Sequence, residues 1–397
     1  MIIEPIIKGV VARSAHPAGC EQGIRQHIDL VSRAAPITQG PKRVLILGGS
    51  SGFGLAARIA LTFGGAEADT IAVSFERGPS EKGVGSAGWY NNIYFKQHAT
   101  AAGRKAINIV GDAFSTPVRQ QVLSAIANEF DGQVDLIIYS LACGVRPQGK
   151  DDKMWHSAIK PIGGNLCGAS INLQDDSWQE TELTAASDRE IHDTEKVMGG
   201  EDWQQWIELL ILHNAIAPQC RTVAFSYIGP QYTYPIYHQG TLGRAKTHLH
   251  HTSDELNQKL APFNGEAYTC VCKALVTKAS VFIPTFSPYL LALYKTMKEQ
   301  GVHETCIEQM QRLFNSKFYP QAQVDAQRLI RMDDWELSSS VQSKTLQRLQ
   351  QMNSDNFREV GDYHGYKQEF LQLNGFAFDD VDYEQHYCIE QLQALTP

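Results

Sequence analysis

Tyr237 and Lys246 lie with eight residues between them, in Tyr237-His-Gln-Gly-Thr-Leu-Gly-Arg-Ala-Lys246, well downstream of a glycine-rich turn. A free phenol has a pKa of about 10 and donates a proton poorly at neutral pH. A nearby ammonium lowers that value, and a hydroxyl held at a developing oxyanion donates as charge appears. The pair therefore predicts an acidified tyrosine that assists reduction of a carbonyl or of a conjugated enone or enoyl group. The lead into Lys246 resembles the start of a helix, which would put the lysine a turn or so inside it. Tyr227 belongs to the same tyrosine-rich run, Phe225 to Tyr237. Packing is the plain alternative for any tyrosine in a chain that has 15, and a solvated helix face is the plain alternative for the lysine.

The upstream turn is Gly48-Gly49-Ser50-Ser51-Gly52-Phe53-Gly54, preceded by the apolar run Val44 to Leu47 and followed by helical spacing from Leu55 to Phe63. Glycines let the backbone approach a pyrophosphate, and the helix N-terminus offers free N–H groups and a positive dipole end. An ordinary tight turn would need no more than this, but strand, glycine turn and helix at the head of an alternating pattern favour a dinucleotide. Phe75 and Glu76 end the next strand. A carboxylate there accepts hydrogen bonds from the adenine-ribose hydroxyls and repels a 2′-phosphate, which favours NADH, whereas Arg77 beside it could pair with that phosphate. Asp112 and Ala113, then Leu141 and Ala142, follow later strands at the ends where adenine and nicotinamide would pass.

Other clusters carry less. His248, His250 and His251 do not share one helix face and have no acid or thiol pattern to complete a tetrahedral site, so they read as surface helix residues with no metal. Cys270 and Cys272 alternate on a strand and share a face, with nothing beside them to activate a thiolate. The eight cysteines include no C-x-x-C pair, as expected of reduced thiols in a cytoplasmic protein. A net charge of −8 leaves no basic surplus for nucleic acid. The N-terminus lacks the pattern of a signal peptide, and the apolar stretch Val281 to Tyr294 carries two prolines and is too short to span a membrane. It reads as buried or substrate-facing.

The elements that must hold these residues alternate. Strands are expected at 44–47, 70–75, 106–110, 134–139, 221–226 and 267–272, with helical spacing between them, including 115–130. That order predicts an α/β fold, a Rossmann-type doubly wound parallel sheet covered on both faces. The interval 144–219 has few clean strand signals, and Val197 to Trp206 looks like a turn entering a helix. The part after Pro288 is mostly helical and charged. The expected organisation is one domain over 1–397, with its core at about 40–300 and a helical C-terminal elaboration at about 300–397.

These blocks together resemble the NADH-dependent trans-2-enoyl reductases of the FabV type, a family related to the short-chain dehydrogenases. The resemblance rests on Met1-Ile-Ile3, His16-Pro17, Gly19-Cys20, the turn Gly48 to Gly54, Ala87 to Asn91, and Gly111 to Phe114. It continues through Tyr139 to Ala142, Val197 to Gly200, Ser226 to Gly229, Pro235 to Tyr237, Leu275 to Thr277 and Gly365 to Lys367. It implies that Tyr237 is the proton donor, that Lys246 binds the nicotinamide ribose and biases the phenol, and that Tyr227 contacts substrate. It further implies that Gly48 to Phe53, Phe75, Glu76, Asp112, Ala113, Leu141, Ala142, Leu275, Val276 and Thr277 contact NADH. The implied substrate is an acyl-CoA or acyl-carrier-protein thioester in fatty acid synthesis, and the implied protein is a cytoplasmic monomer. A short-chain carbonyl or alcohol dehydrogenase and a non-catalytic NADH-binding regulator remain as rival expectations.

Overall fold

Runs such as Val44 to Leu47 and Leu136 to Ile138 are entirely buried, as strands of a sheet covered on both faces must be. The computed structural model describes residues 1–81, 83–149 and 153–397. The sheet strands are β1 (Arg43–Leu47), β2 (Asp69–Ser74), β3 (Ala106–Val110), β4 (Val134–Tyr139), β5 (Ile216–Ser226), β6 (Glu266–Val271) and β7 (Leu329–Arg331). All seven are parallel, in the order β7-β6-β5-β4-β1-β2-β3. Six of them lie where the sequence places strands. The seventh is three residues long, too short for any periodicity to reveal.

Helices cover both faces: α1 (Pro17–Arg33), α2 (Gly52–Phe63), α3 (Ala87–Ala101), α4 (Thr116–Glu129), α5 (Asp188–Met198), α6 (Glu201–Leu212), α7 (Thr241–Leu260) and α8 (Ser287–Glu299). One apolar cluster joins α2 and the segment around Met310 to one face of the sheet. A second joins α4, α6 and α7 to the other. The chain winds outward from β1 through β2 to β3, then returns to β4 on the far side of β1. Strand order therefore reverses between β1 and β4, and ligands of such sheets bind in the crevice outside the strand ends at that point. Gly48 and Ser140 follow those two strands, with the Ser140 amide donating to the Leu47 carbonyl at 2.8 Å.

Between β4 and β5 the chain forms an antiparallel ribbon, Leu166–Asn172 with Ser177–Leu183. Its second strand, Ser-Trp-Gln-Glu-Thr-Glu-Leu, is largely solvent-facing and polar, so it carries no apolar alternation to announce it. The ribbon meets α8, where the Ile171 amide donates to the Ser287 hydroxyl at 2.8 Å. Helix α8 is buried over most of its length, consistent with the apolar Val281 to Tyr294 stretch. No helix among the described residues is long and apolar enough to cross a membrane, and all eight cysteines are free.

Candidate active site

The glycine turn between β1 and α2 places bare backbone at the sheet's reversal point. Gly48 has φ +93°, and a Cβ there would stand 2.4 Å from the Ser140 carbonyl oxygen, so only glycine fits. Gly52 has φ +53° and faces Thr277, whose side-chain carbon would lie 3.8 Å from an added Cβ. The Ser51 N-cap makes no side-chain bond to the start of α2, so the first-turn amides stay open to an anion. Asn91 braces the turn by donating to the Ser50 carbonyl at 2.9 Å.

Glu76 is held at the end of β2 by two hydroxyls. Ser50 Oγ donates to its Oε1 at 2.6 Å, and Ser86 Oγ donates to Oε2. Gly88 makes room for this carboxylate, since a Cβ there would sit 2.0 Å from Oε1. Phe75 is 83% exposed beside it, a ring without protein cover next to the glycine turn, suited to lie against a planar base. Asp112 closes the turn after β3 by accepting from the Phe114 amide at 2.9 Å, with Ala113 buried behind it. Leu141 and Ala142 follow β4 immediately, and Ala142 is exposed. Leu275, Val276 and Thr277 follow β6. The Val276 amide donates to the Tyr294 hydroxyl at 2.8 Å, and Ser280 ties back to the Leu275 carbonyl at 2.7 Å. The predicted cofactor residues therefore fall on the loops and helix starts that follow the carboxyl ends of the strands, and the open amides, close-packed glycines and exposed Phe75 fit a dinucleotide.

Tyr227 follows β5, and Tyr237 ends a short helical turn, Tyr234–Tyr237, before α7. Their rings meet at 4.6 Å, and each also packs on Phe286, at 5.7 Å and 5.2 Å. Lys246 sits in the second turn of α7, where its Nζ donates to the Phe225 carbonyl at 3.2 Å. Burial pulls its ammonium down to about 8, opposed by Cys272.

The electrostatics of Tyr237 differ from the sequence expectation. Its phenol is not acidified but pushed above the ordinary value, first by burial and then by the Glu336 carboxylate. Burial of the phenol and a carboxylate far away in the chain therefore set its proton affinity. Glu336 is buried at 0% exposure and accepts from the Tyr227 hydroxyl at 2.7 Å, the Tyr289 hydroxyl at 2.6 Å and the Ala274 amide at 2.7 Å. Sequence reasoning missed it because 109 residues separate it from Tyr227, and a lone acid in Asp333-Asp-Trp-Glu336 has no local signature.

The histidine cluster also departs from the surface reading. His248 Nδ1 accepts from the Gly200 amide at 3.0 Å, and His250 Nε2 lies 2.9 Å from Ser226 Oγ, so these two face the interior while His251 stays exposed. Cys270 and Cys272 do share a face, their sulfurs 4.0 Å apart. Among the described residues no group of three or more His, Cys, Asp or Glu side chains is placed to hold a metal ion.

The family model described as trans-2-enoyl-CoA reductase catalytic region matches residues 83–319, and that of its NAD(P)H binding domain matches residues 2–81. The chain belongs to the trans-2-enoyl-CoA reductase family. Across all of both chains it is 64% identical to a Vibrio parahaemolyticus protein named enoyl-[acyl-carrier-protein] reductase [NADH] 2. It is 46% identical, again over 100% of each chain, to a Clostridium beijerinckii trans-2-enoyl-CoA reductase [NADH]. The crystal structure of the Clostridium acetobutulicum trans-2-enoyl-CoA reductase in complex with NADH matches with a TM-score of 0.97 at 44% identity, covering 100% of both chains.

A third family model, described as an enoyl reductase FAD binding domain, matches residues 324–386. The residues present do not fit a flavin. The glycines there are pressed against protein: a Cβ at Gly361 would lie 2.7 Å from the Leu291 side chain, and one at Gly375 would lie 2.3 Å from the His16 carbonyl oxygen. The buried Phe357, Tyr363, Tyr366 and Phe370 of this segment fill a core with α8. In this chain the segment instead supplies β7 and Glu336.

Proposed function

We propose that the protein reduces the C2=C3 double bond of trans-2-enoyl thioesters with NADH, the enoyl-reduction step of fatty acid synthesis. The full-length match to an enoyl-CoA reductase bound to NADH carries this reading. Bound NADH supplies a hydride from nicotinamide C4 to C3 of the enoyl group. The Gly48 to Phe53 turn and the open amides of α2 hold the pyrophosphate, Phe75 and Glu76 hold the adenosine, and Asp112, Ala113, Leu141, Ala142 and Leu275 to Thr277 line the path of the cofactor. Lys246 holds the nicotinamide ribose. As charge gathers on the thioester oxygen, the Tyr237 hydroxyl donates a hydrogen bond to it, and protonation at C2 completes the saturated acyl product.

The raised proton affinity of Tyr237 agrees with this role, because a phenol that stabilises an enolate by donation must enter the step protonated. Tyr227 and Phe286 form the wall on which Tyr237 is held. The thioester carrier is CoA or acyl-carrier protein, both of which occur in the names of the relatives. We read the chain as one reductase domain, with β7 and the C-terminal helices as elaborations of it, and as a cytoplasmic monomer. Eight free cysteines support the compartment.

Loss of NADH absorbance with crotonyl-CoA, with crotonyl-carrier protein and with simple ketones tests the activity. Turnover of the enoyl thioesters above that of ketones is expected. Ketone reduction alone would point to a carbonyl dehydrogenase, and NADH binding without turnover to a regulator. Light scattering of the purified protein checks the monomer.

A further inference from the structure

The buried carboxylate behind the two tyrosines has no part in the reaction as described, yet its bonds constrain which hydroxyl can act. The Tyr227 and Tyr289 O–H groups both close on one oxygen of Glu336, Oε1, while Oε2 takes the Ala274 N–H. Tyr289 is fixed as a donor there, because its own oxygen already accepts from Gln342 Nε2 at 3.0 Å. Gln342 Nε2 also bonds the Glu336 carbonyl at 2.8 Å, so the segment carrying the carboxylate is tied to the same network.

A hydroxyl has one proton, and Tyr227 gives its proton to Glu336. The Tyr227 and Tyr237 rings meet with centroids 4.6 Å apart and planes at 77°. Tyr237 has no hydrogen bond to its hydroxyl from any described residue, so its proton is free for a ligand. We infer that Glu336 is a positioning residue that sets the polarity of the tyrosine pair, committing the Tyr227 proton inward so that Tyr237 alone donates to the substrate oxygen. This inference rests on the reading of Tyr237 as the donor.

The charged and titratable groups around Glu336 fit this arrangement. Lys273, buried at 1% exposure with its Nζ on the Ala274 carbonyl at 3.1 Å, attracts the carboxylate, and Tyr227, Tyr237 and Tyr289 face it from three other elements. Glu304 and Glu369 share the pull on Lys273. Burial raises the Glu336 carboxyl above its ordinary value, while the two phenols, the amide and Lys273 oppose that rise.

The isosteric change Glu336→Gln reverses the polarity. The Ala274 N–H can only donate, so the new amide oxygen must take the place of Oε2, and the NH₂ group then donates toward the phenol oxygens. The Tyr227 O–H loses its acceptor and is released toward substrate. The test is a double-mutant cycle on kcat with crotonyl-CoA and NADH, using the parent, Tyr237→Phe, Glu336→Gln and the double variant. The Tyr237→Phe penalty is expected to shrink by about tenfold or more in the Glu336→Gln background, within the range of coupling between residues that share a partner, here Tyr227. A merely structural role for Glu336 would leave that penalty unchanged, and an equal penalty in both backgrounds overturns the inference. No penalty in the parent would instead remove Tyr237 as the donor, a separate failure. Should Glu336→Gln not fold, Tyr227→Phe decides the matter. It is expected to reduce kcat by less than about tenfold, below the range for a proton donor, and a loss as large as that of Tyr237→Phe overturns the inference.

Discussion

The rings of Tyr227 and Tyr237 meet edge to face, with centroids 4.6 Å apart and planes at 77°. Each ring is held by Phe286 as well, so the position of Tyr237 depends on ring packing and not on its hydroxyl. Tyr237→Phe should therefore keep the fold and the melting temperature while lowering kcat on enoyl thioesters by on the order of 10²–10⁴-fold, the range for a positioned proton donor. Stopped-flow NADH binding should be nearly unchanged. A variant with parental kcat would end the assignment.

Lys246 predicts a pH dependence. In the free enzyme its ammonium titrates at about 8, below the ordinary lysine value, because it is buried. The charged form dominates below that pH and is lost above it. If the charge holds the ribose, kcat/KM for NADH should fall as pH rises through about 8. Lys246→Met should abolish that limb and weaken NADH by roughly ten- to a hundred-fold, the scale of one hydrogen bond from a charged group. A limb that persists in the methionine variant would assign the titration to another group.

Much of this arrangement was legible in the sequence because the signals were local. Gly48 to Gly54 between an apolar run and a helical one, and Lys246 following Tyr237 into a helix, each lie within a few turns of chain. Six strands stood out as apolar runs for the same reason. What escaped was long-range or polar. Strand β7 has three residues, the second strand of the ribbon, Ser177 to Leu183, is mostly polar, and Glu336 reaches Tyr227 across 109 residues. The expected sign of the Tyr237 shift failed for a related reason: residue spacing reveals neither the burial of the phenol nor the distant Glu336 carboxylate that raise it.

Gly48→Ala tests the phosphate turn. The new Cβ would meet the Ser140 carbonyl oxygen at 2.4 Å, in backbone that cannot swing aside, and φ +93° strains any side chain. Each effect costs about 1–3 kcal/mol. The variant should melt at a lower temperature and bind NADH more weakly, read by calorimetry and fluorescence titration. Parental values for both would mean that this turn is not held as described.

On the proposed placement of the cofactor, Glu76 is expected to favour NADH over NADPH through charge. Its two oxygens accept from Ser50 and Ser86, so the carboxylate is fixed at the end of β2, where the adenine ribose is expected. A 2′-phosphate would bring a second negative charge to that carboxylate, while exposed Arg77 stands next in the chain to attract it. Glu76→Gln keeps the shape and removes the repulsion. The NADPH-to-NADH ratio of kcat/KM should rise by about tenfold, the size of one charged contact of ~1.4 kcal/mol. Adding Arg77→Ala should cancel that gain, because the arginine is then no longer available to the phosphate. A ratio that stays at the parental value in Glu76→Gln would mean that repulsion by this carboxylate does not select the cofactor. A gain that survives the loss of Arg77 would assign phosphate recognition to another cation, with Arg13 and Lys278 in the adjoining pocket as the next side chains to replace.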